Sequence, residues 1–315
     1  MKAIILSEAG NADNLKYMDI PKPLIKNDEV LVKTVSLSIN PVDYKARAND
    51  GTLTWLFGTE RPVILGWDLS GTIEEIGEHV TDFKIGDAVF GMANFPGKGN
   101  AYAEYVAVPS SHVALKPSTI SHQEASSATL AALTAWQILV TKAKVKKGDT
   151  VLIHGASGGV GHYATQIAKH FGAYVIGTSS AKNKNFVLQN GTDKHIDYST
   201  VDFEKEVSDV DFVLDTRAGD IIYRSINVTR SGGIIVTIPS GNIPQENLDK
   251  AIARNIDLSF ILVQSSGADM KLIADLMHKG IIKSHVSKNF SFDEMNKAHL
   301  HLETGRAVGK IAVNI

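Results

Sequence analysis

The chain of 315 residues contains no cysteine. This absence excludes disulfides, thiolate nucleophiles, iron–sulfur clusters and every zinc site that needs a cysteine ligand. A marked excess of charge of one sign is also absent, since the formal net charge is -2 with 21% charged residues. We therefore expect neither a nucleic-acid partner nor a disordered charged tail.

Long apolar runs are absent as well. The first run, from Ala3 to Leu6, is followed at once by polar residues and glycine, so it falls far short of a signal peptide or a membrane span. We expect no membrane partner and a cytoplasmic location. With this length and 43% apolar residues, the chain is expected to form two globular domains.

The first part of the chain is rich in β-strand signals. Short apolar or alternating runs separated by glycine and proline predict a compact all-β unit up to about residue 121. The predicted strands cover residues 2–6, 29–36, 68–77, 101–108 and 112–115.

From Ser121 onward the pattern changes to strands that alternate with helices, which is typical of a parallel sheet. Six strands are predicted, the number found in a dinucleotide-binding sheet: residues 150–154, 173–178, 211–215, 233–239 and 256–263, with a short one around Ile196. The β-rich C-terminal residues are expected to return to the first domain. We thus predict an α/β protein with a catalytic domain of residues 1–121 and 282–315 and a dinucleotide-binding domain of residues 122–281.

A glycine-rich loop joins a predicted strand to a predicted helix. Residues 149–154 have a buried-strand pattern, and apolar residues recur at helical spacing from Val160 to Phe171. Glycines let the backbone approach a pyrophosphate, and the helix N-terminus offers N–H groups and a positive dipole. The alternative is a tight turn without a ligand. The predicted pyrophosphate site consists of Gly155, Ser157, Gly158, Gly159, Val160 and Gly161.

The segment after the next strand indicates which dinucleotide binds. An NAD site usually carries a carboxylate about 20 residues beyond the glycine loop, which hydrogen-bonds the ribose 2′-hydroxyl. Residues 177–184 contain no acidic residue, but they offer hydroxyls and cations that suit a 2′-phosphate. We therefore predict NADPH; the alternative is a solvated helix start. The predicted contacts are Thr178, Ser179, Ser180 and a cation at Lys182 or Lys184.

Two clusters in the first domain, joined to the glycine loop, point to a family. They are residues 38–44 (SINPVDY) and 62–71 (PVILGWDLSG), and the closing segment 305–310 (GRAVGK) is a further match. Over essentially its whole length the chain resembles the zinc-free quinone oxidoreductase branch of the medium-chain dehydrogenase/reductase superfamily. The resemblance implies a Rossmann doubly wound parallel sheet with a GroES-like β-rich catalytic domain. It also implies a homodimer that pairs the edge strand at residues 257–262 across a two-fold axis.

The positions of the family's zinc ligands hold other residues here. Zinc alcohol dehydrogenases of this superfamily carry a cysteine in the first cluster and a His–Glu pair in the second, where this chain has Asn40 and Trp67-Asp68. We therefore predict no metal. His299 and His301 are two residues apart on a predicted helix, so their rings point apart. His154, at a strand end, is expected to be packed or hydrogen-bonded.

Without a Lewis acid, alcohol oxidation is a poor candidate, whereas quinones and activated enones spread the arriving negative charge onto a conjugated oxygen. Holding nicotinamide and acceptor face to face then supplies much of the catalysis. The resemblance places Asn40, Pro41 and Asp43 beside the nicotinamide. Tyr44 is a candidate catalytic proton donor, or else an aromatic packed under the loop. The other cofactor contacts implied are Thr134, Tyr198, Ser240, Gly241, Leu262 and Val263.

Acceptor identity is expected to depend on less constrained segments. Residues 55–57 and Trp67 either offer apolar surface to a flat acceptor or belong to the core of the first domain. Residues 95–99, with two glycines, are predicted to form a mobile loop over the active site.

Hydride transfer from NADPH to a quinone is the predicted function. The alternative within enzymes is an enone or enal reductase, since the motifs do not separate the two, and a metal-dependent alcohol dehydrogenase is a more distant one. A catalytically idle, crystallin-like NADPH-binding protein is the alternative from another class. The intact loop at Asn40 argues against idleness.

Overall fold

The computed structural model describes residues 1–315. The strands are β1 (Lys2–Leu6), β2 (Leu15–Asp19), β3 (Glu29–Ser38), β4 (Val63–Ile64), β5 (Asp68–Ile76), β6 (Ala88–Met92), β7 (Tyr105–Pro109), β8 (Val113–Leu115), β9 (Thr150–His154), β10 (Tyr174–Ser179), β11 (Lys194–Asp197), β12 (Val210–Asp215), β13 (Thr229–Thr237), β14 (Asp257–Phe260), β15 (Val286–Ser291) and β16 (Lys310–Asn314). The α-helices are α1 (Pro41–Ala48), α2 (Asp50–Phe57), α3 (His122–Ser127), α4 (Leu130–Trp136), α5 (Gly159–His170), α6 (Lys184–Gln189), α7 (Ile221–Val228), α8 (Gln245–Ala253), α9 (Gly267–His278) and α10 (Met295–Glu303). No helix combines the length and the apolar character needed to cross a bilayer.

One compact unit, Thr134–Leu262, contains a six-stranded parallel sheet in the order β11-β10-β9-β12-β13-β14. This is the doubly wound order, and its direction of winding reverses between β9 and β12. Its central strand β9 carries Val151, Leu152 and Ile153, all fully buried, as expected where helices cover both faces of a parallel sheet. The predicted six-stranded Rossmann sheet is confirmed.

The other unit consists of Met1–Leu133 and Val263–Ile315. Its larger sheet has the order β15-β16-β3-β5-β6-β8, with β7 also paired to β3, and a smaller sheet has the order β2-β1-β4. The C-terminal strand β16 pairs antiparallel with β3. The C-terminal strand thus belongs to the same sheet and the same compact unit as β3.

The first unit is β-rich but not all-β as predicted, because α1 and α2 interrupt it. Pro41 stands at the start of α1, and Asn40 and Asp43 form a capping box there. Asn49 caps α2, since its Oδ1 accepts a hydrogen bond from the Thr52 N–H at 2.8 Å. Each helix has only eight residues, too few for helical periodicity to stand out from the β pattern. Only the caps could have revealed them.

The units divide at positions that differ from the predicted bounds of 121/122 and 281/282. Helix α3 packs against β3 and β5, and α9 packs against β8. In addition, the N–H of Leu130 donates a hydrogen bond to Asp68 at 3.0 Å. These contacts tie both helical segments to the β-rich unit, so packing rather than the change of sequence pattern sets the division.

Candidate active site

Two glycines of the loop have neighbours so close that a side chain would not fit. Gly155 follows β9 with φ +74°, in the left-handed region that favours glycine. A Cβ on Gly161 would lie 2.2 Å from the carbonyl oxygen of Gly155, so α5 packs closer to the loop than a side chain permits. Helix α5 has Gly158 as its N-cap and no side-chain cap, which leaves its first N–H groups to an anion. The loop therefore fits the pyrophosphate of a dinucleotide.

The other predicted cofactor contacts of this unit lie mainly where strands end. Thr178 and Ser179 end β10, Tyr198 follows β11, Ser240 and Gly241 follow β13, and Leu262 follows shortly after β14. Because the strands are parallel, these residues meet along the carboxyl edge of the sheet, where doubly wound folds bind ligands. Ser157 lies in the glycine loop and Val160 in α5, whereas Thr134 is a buried residue of α4 and Val263 a buried residue of the other unit.

The predicted 2′-phosphate site differs from expectation at Ser179. Its side chain is 2% exposed, and its hydroxyl lies 2.8 Å from Nε2 of His195 and 3.1 Å from the carbonyl oxygen of Ser180. The hydroxyl is thus bonded inside the protein and does not stand open to a ligand. Ser180 is half-buried and Lys182 is exposed. The sequence offered no signal for His195, because its position beside Ser179 depends on strand pairing.

Arg217 is a second residue at this edge that sequence reasoning missed. It comes directly after β12, and its Cδ lies 3.1 Å from the point where a Cβ on Gly155 would stand. Its N–H donates to a carboxylate oxygen of Asp215 at 2.7 Å, which fixes the turn. The Arg217 side chain is exposed. A cation therefore stands beside the glycine loop at the point where the winding of the sheet reverses.

Asn40 is held in a buried network of the β-rich unit. The side chain is 2% exposed; its Nδ2 donates to Asp68 at 2.7 Å, and its Oδ1 accepts a hydrogen bond from Lys310. Lys310 also donates to the carbonyl oxygen of Ile39 at 3.0 Å. Burial lowers the pKa of Lys310, while the Asp68 carboxylate opposes this shift. Both ends of the Asn40 amide are therefore engaged within the protein, which gives Asn40 a positioning role in the loop.

Asp43 is fully buried beneath the same loop. One carboxylate oxygen accepts a hydrogen bond from the Asn40 N–H at 2.6 Å, and the buried Tyr102 hydroxyl lies beside the carboxyl group. Burial, and then the negative charge of Asp68, raises the pKa of Asp43 to about 7. Asp43 thus caps the N-terminus of α1 from a buried position. A direct role of Asp43 or Asn40 in catalysis stays a prediction.

Two other residues of the Asn40 segment are accessible to solvent. Pro41 is exposed and Tyr44 is half-buried. The Tyr44 hydroxyl makes no hydrogen bond within the protein, so it is chemically able to serve an outside acceptor. This geometry is compatible with the proposed donor role, which stays a prediction.

The aromatic residues near the loop divide between core and surface. Trp67 is fully buried, its Nε1 donates to the Gly97 carbonyl oxygen at 2.7 Å, and its ring packs edge-on against Phe95. Phe57 is likewise buried, whereas Trp55 is 59% exposed. Of these residues, only Trp55 could offer apolar surface to a flat acceptor.

The segment predicted as a mobile loop is tied down at both ends. The Phe95 N–H donates to Ser265 Oγ at 2.8 Å, and the Ser265 N–H donates back to the Phe95 carbonyl oxygen at 3.0 Å. A Cβ on Gly99 would lie 2.2 Å from the Gly66 carbonyl oxygen. These contacts anchor the two ends of the segment, and the mobility of the residues between them stays a prediction.

The histidines considered for metal binding have other partners. His154 is buried, with Nε2 3.0 Å from Ser225 Oγ, which confirms that it is packed and hydrogen-bonded. His299 is buried with Nε2 3.0 Å from the Tyr102 hydroxyl, and burial lowers its pKa to about 3. His301 packs against Phe290. No cluster of three or more acidic or histidine side chains is arranged to hold a metal.

Comparisons with known proteins agree with this architecture. Residues 26–118 match the family described as alcohol dehydrogenase GroES-like domain, and residues 190–313 match the family described as zinc-binding dehydrogenase. The 2-methylene-furan-3-one reductase of Solanum lycopersicum is 33% identical over 100% of this chain and 79% of its own length. The chain belongs to the zinc-free quinone oxidoreductase branch of the medium-chain dehydrogenase/reductase superfamily.

Further members of the superfamily are similar over nearly the whole chain. The NADPH-dependent alkenal/one oxidoreductase of Arabidopsis thaliana is 32% identical over 99% of this chain and 79% of its own. The structure of the quinone oxidoreductase from Coxiella burnetii is 34% identical, with a TM-score of 0.93 over 100% of this chain and 99% of that one. The family described as zinc-binding matches only residues 190–313, a segment that contains neither Asn40 nor Trp67-Asp68.

Proposed function

We propose that the protein is a zinc-independent oxidoreductase that transfers hydride from NADPH to a quinone, with an enone or enal as the alternative acceptor. The observation that carries the proposal is the glycine loop between β9 and α5, followed after β10 by a segment with cations and no carboxylate. Relatives named for NADPH-dependent alkenal/one reduction and for quinone oxidoreduction support it. The enone alternative has specific support in the relative that reduces 2-methylene-furan-3-one.

The chemistry of the acceptor follows from what the Asn40 loop contains. NADPH, when bound, supplies the hydride. The protein's own network of Asn40, Asp68 and Lys310 engages its polar groups with one another, so it presents no free hydrogen-bond donor to an alkoxide. An acceptor that delocalises charge onto its own conjugated oxygen needs less help of this kind. The protein's contribution is to hold the reactants in register, which can be worth up to about 7 to 11 kcal/mol.

The cofactor contacts we propose are those at the carboxyl edge of the Rossmann sheet. The α5 N-terminus would bind the pyrophosphate, and Arg217 would add a cation beside Gly155, because a guanidinium pairs well with phosphate oxygens. Lys182 and Tyr198, both exposed, are proposed for the adenosine phosphate.

The test is turnover against a matched acceptor panel with EDTA present. A para-quinone, an ortho-quinone, an alkyl enone and a short enal are each mixed with NADPH, and its oxidation is followed by absorbance. Turnover of quinones alone supports the quinone reductase function, and turnover of enones or enals assigns the protein to double-bond reduction. Tight NADPH binding without any turnover contradicts both functions and favours an idle, crystallin-like binder.

Two further parts of the proposal concern assembly and location. We propose a homodimer that pairs the edge strand β14, whose Leu258 is half-buried and whose Asp257 is exposed, because pairing would cover an open sheet edge. Sedimentation as a monomer at micromolar concentration contradicts it. A cytoplasmic location is proposed as well, and fractionation of cells from the source organism tests it.

A further inference from the structure

His195 lies beside the predicted 2′-phosphate site, on the strand next to it. Strands β10 and β11 are parallel, and His195 is paired with Gly177 and Asp197 with Ser179. Paired residues share a face of the sheet. On that face a Cβ on Gly177 would lie 2.8 Å from the Cβ of Ala156 in the glycine loop. The imidazole of His195 is therefore on the same side of the sheet as the phosphate-binding loop.

The hydrogen bond between His195 and Ser179 depends on the charge of the imidazole. The Ser179 hydroxyl has one proton and two neighbours, Nε2 of His195 at 2.8 Å and the Ser180 carbonyl oxygen at 3.1 Å. When Nε2 carries no proton, the hydroxyl donates to it. When His195 is protonated, Nε2 donates to the hydroxyl oxygen, and the hydroxyl proton turns toward the carbonyl. Both states are satisfied, so the imidazole can gain a proton without leaving a buried group unpaired.

The charges around His195 hold it neutral in the protein without cofactor. Partial burial, and then the ammonium of Lys184 on α6, lower its pKa, while the carboxylate of Asp197 on the same strand opposes this. Asp197 is itself engaged, because its Oδ1 accepts hydrogen bonds from the Ser199 hydroxyl at 2.7 Å and the Ser199 N–H at 3.1 Å. A dianion placed near Lys184 would reverse the balance of charge at the imidazole.

We propose that His195 determines the preference for NADPH over NADH. When the 2′-phosphate binds, the His195 imidazole takes up a proton from solvent and adds its positive charge to that of Lys184. The inference rests on the use of NADPH and is independent of the acceptor. Neutral histidine in the free protein avoids a cation pair with Lys184, and the phosphate makes the second cation favourable. NADPH affinity therefore rises as the pH falls toward the free-protein pKa of His195. NADH, which lacks the phosphate, shows no such linkage.

The test compares the wild type with His195→Gln by titration calorimetry, without any acceptor. NADPH and NADH are titrated at about pH 6.5 and about pH 8.5, in buffers of different ionisation enthalpy, to count the protons taken up. We expect more proton uptake with NADPH for the wild type than for His195→Gln, because the titration of the 2′-phosphate itself, at about pH 6, is common to both proteins. We expect His195→Gln to weaken NADPH binding by about five- to tenfold at the lower pH and by little at the higher pH, with NADH unchanged.

Controls separate this inference from failure of the proposed function. His79→Gln, at an exposed histidine of the other unit, is expected to behave as the wild type. Adenosine 2′,5′-bisphosphate and adenosine 5′-monophosphate repeat the comparison without a nicotinamide, so the outcome does not depend on hydride transfer. Equal proton uptake by the wild type and His195→Gln, or an equal loss of affinity for NADPH and NADH, overturns the proposal. A protein that binds NADPH with this linkage but turns over no acceptor keeps the proposal and rejects the reductase function.

Discussion

The ammonium of Lys310 lies 3.5 Å from a carboxylate oxygen of Asp68, and both side chains are buried. Asp68 begins β5 and Lys310 begins the C-terminal strand β16. The same ammonium hydrogen-bonds Asn40. The Lys310 ammonium, at the start of β16, therefore holds in place the Asn40 segment that precedes α1.

Lys310→Met tests this relationship. Removing one partner leaves Asp68 as an uncompensated buried charge, which is expected to cost about 3 to 5 kcal/mol of unfolding free energy. Urea unfolding measures it. Lys16→Met, at an exposed lysine of β2 without an ion pair, is the matched control and should change stability by less than about 0.5 kcal/mol. Equal stability of the two variants would show that Asp68 does not need its buried partner.

Asp43 gives a pH dependence whose sign is set by its raised pKa. In the folded protein the pKa of Asp43 is about 7, above the ordinary value of 3.8, so the folded state binds the extra proton between these pH values. Asp43 therefore makes the protein lose stability as the pH rises from about 4 to about 7. Asp43→Asn keeps an acceptor for the Asn40 N–H and cannot ionise.

The measurement is urea unfolding of both proteins at several pH values from about 5 to about 8. The wild type is expected to lose stability relative to Asp43→Asn as the pH rises, and the difference between the two isolates Asp43 from other titrating groups. A constant difference across this range contradicts a pKa near neutrality.

The sheet of the Rossmann unit was predictable because its strands are continuous apolar runs. Strand β9, with Val151, Leu152 and Ile153, runs directly into the glycine loop, and this order of strand, loop and helix has a local signature. The return of β16 to the first unit was predictable because the strands before it already supply the six that a dinucleotide-binding sheet contains.

The network around the site could not be predicted from sequence. Lys310 and Asn40 are 270 positions apart, and no local pattern reports such a pair. His195 meets Ser179 only through the register of β10 and β11, and Arg217 meets Gly155 only through the order of strands. Burial also changed the interpretation of Asn40 and Asp43, because sequence shows which residue types are present but not which of them solvent can reach.

Gly161→Ala tests the close approach of α5 to the glycine loop. Its Cβ would meet the Gly155 carbonyl oxygen at 2.2 Å, and backbone cannot move away as a side chain can. We expect a loss of about 1 to 3 kcal/mol in unfolding free energy and weaker binding of both NADPH and NADH. Gly51→Ala is the control, because Gly51 is an exposed residue of helix α2 and its Cβ would come no closer than 3.2 Å to another group, the Oδ1 of Asn49. Unchanged cofactor binding in Gly161→Ala contradicts the pyrophosphate role of the loop.

Tyr44→Phe tests whether the open hydroxyl on the Asn40 loop donates a proton. The hydroxyl has no partner within the protein, so its removal should leave stability unchanged. With an enone acceptor, whose enolate oxygen must gain a proton, we expect kcat to fall by about 100-fold if Tyr44 is the general acid. Tyr17→Phe, at an exposed tyrosine of β2, is the control; if kcat of Tyr44→Phe matches it at every pH, Tyr44 only packs against the loop and the proton comes from water.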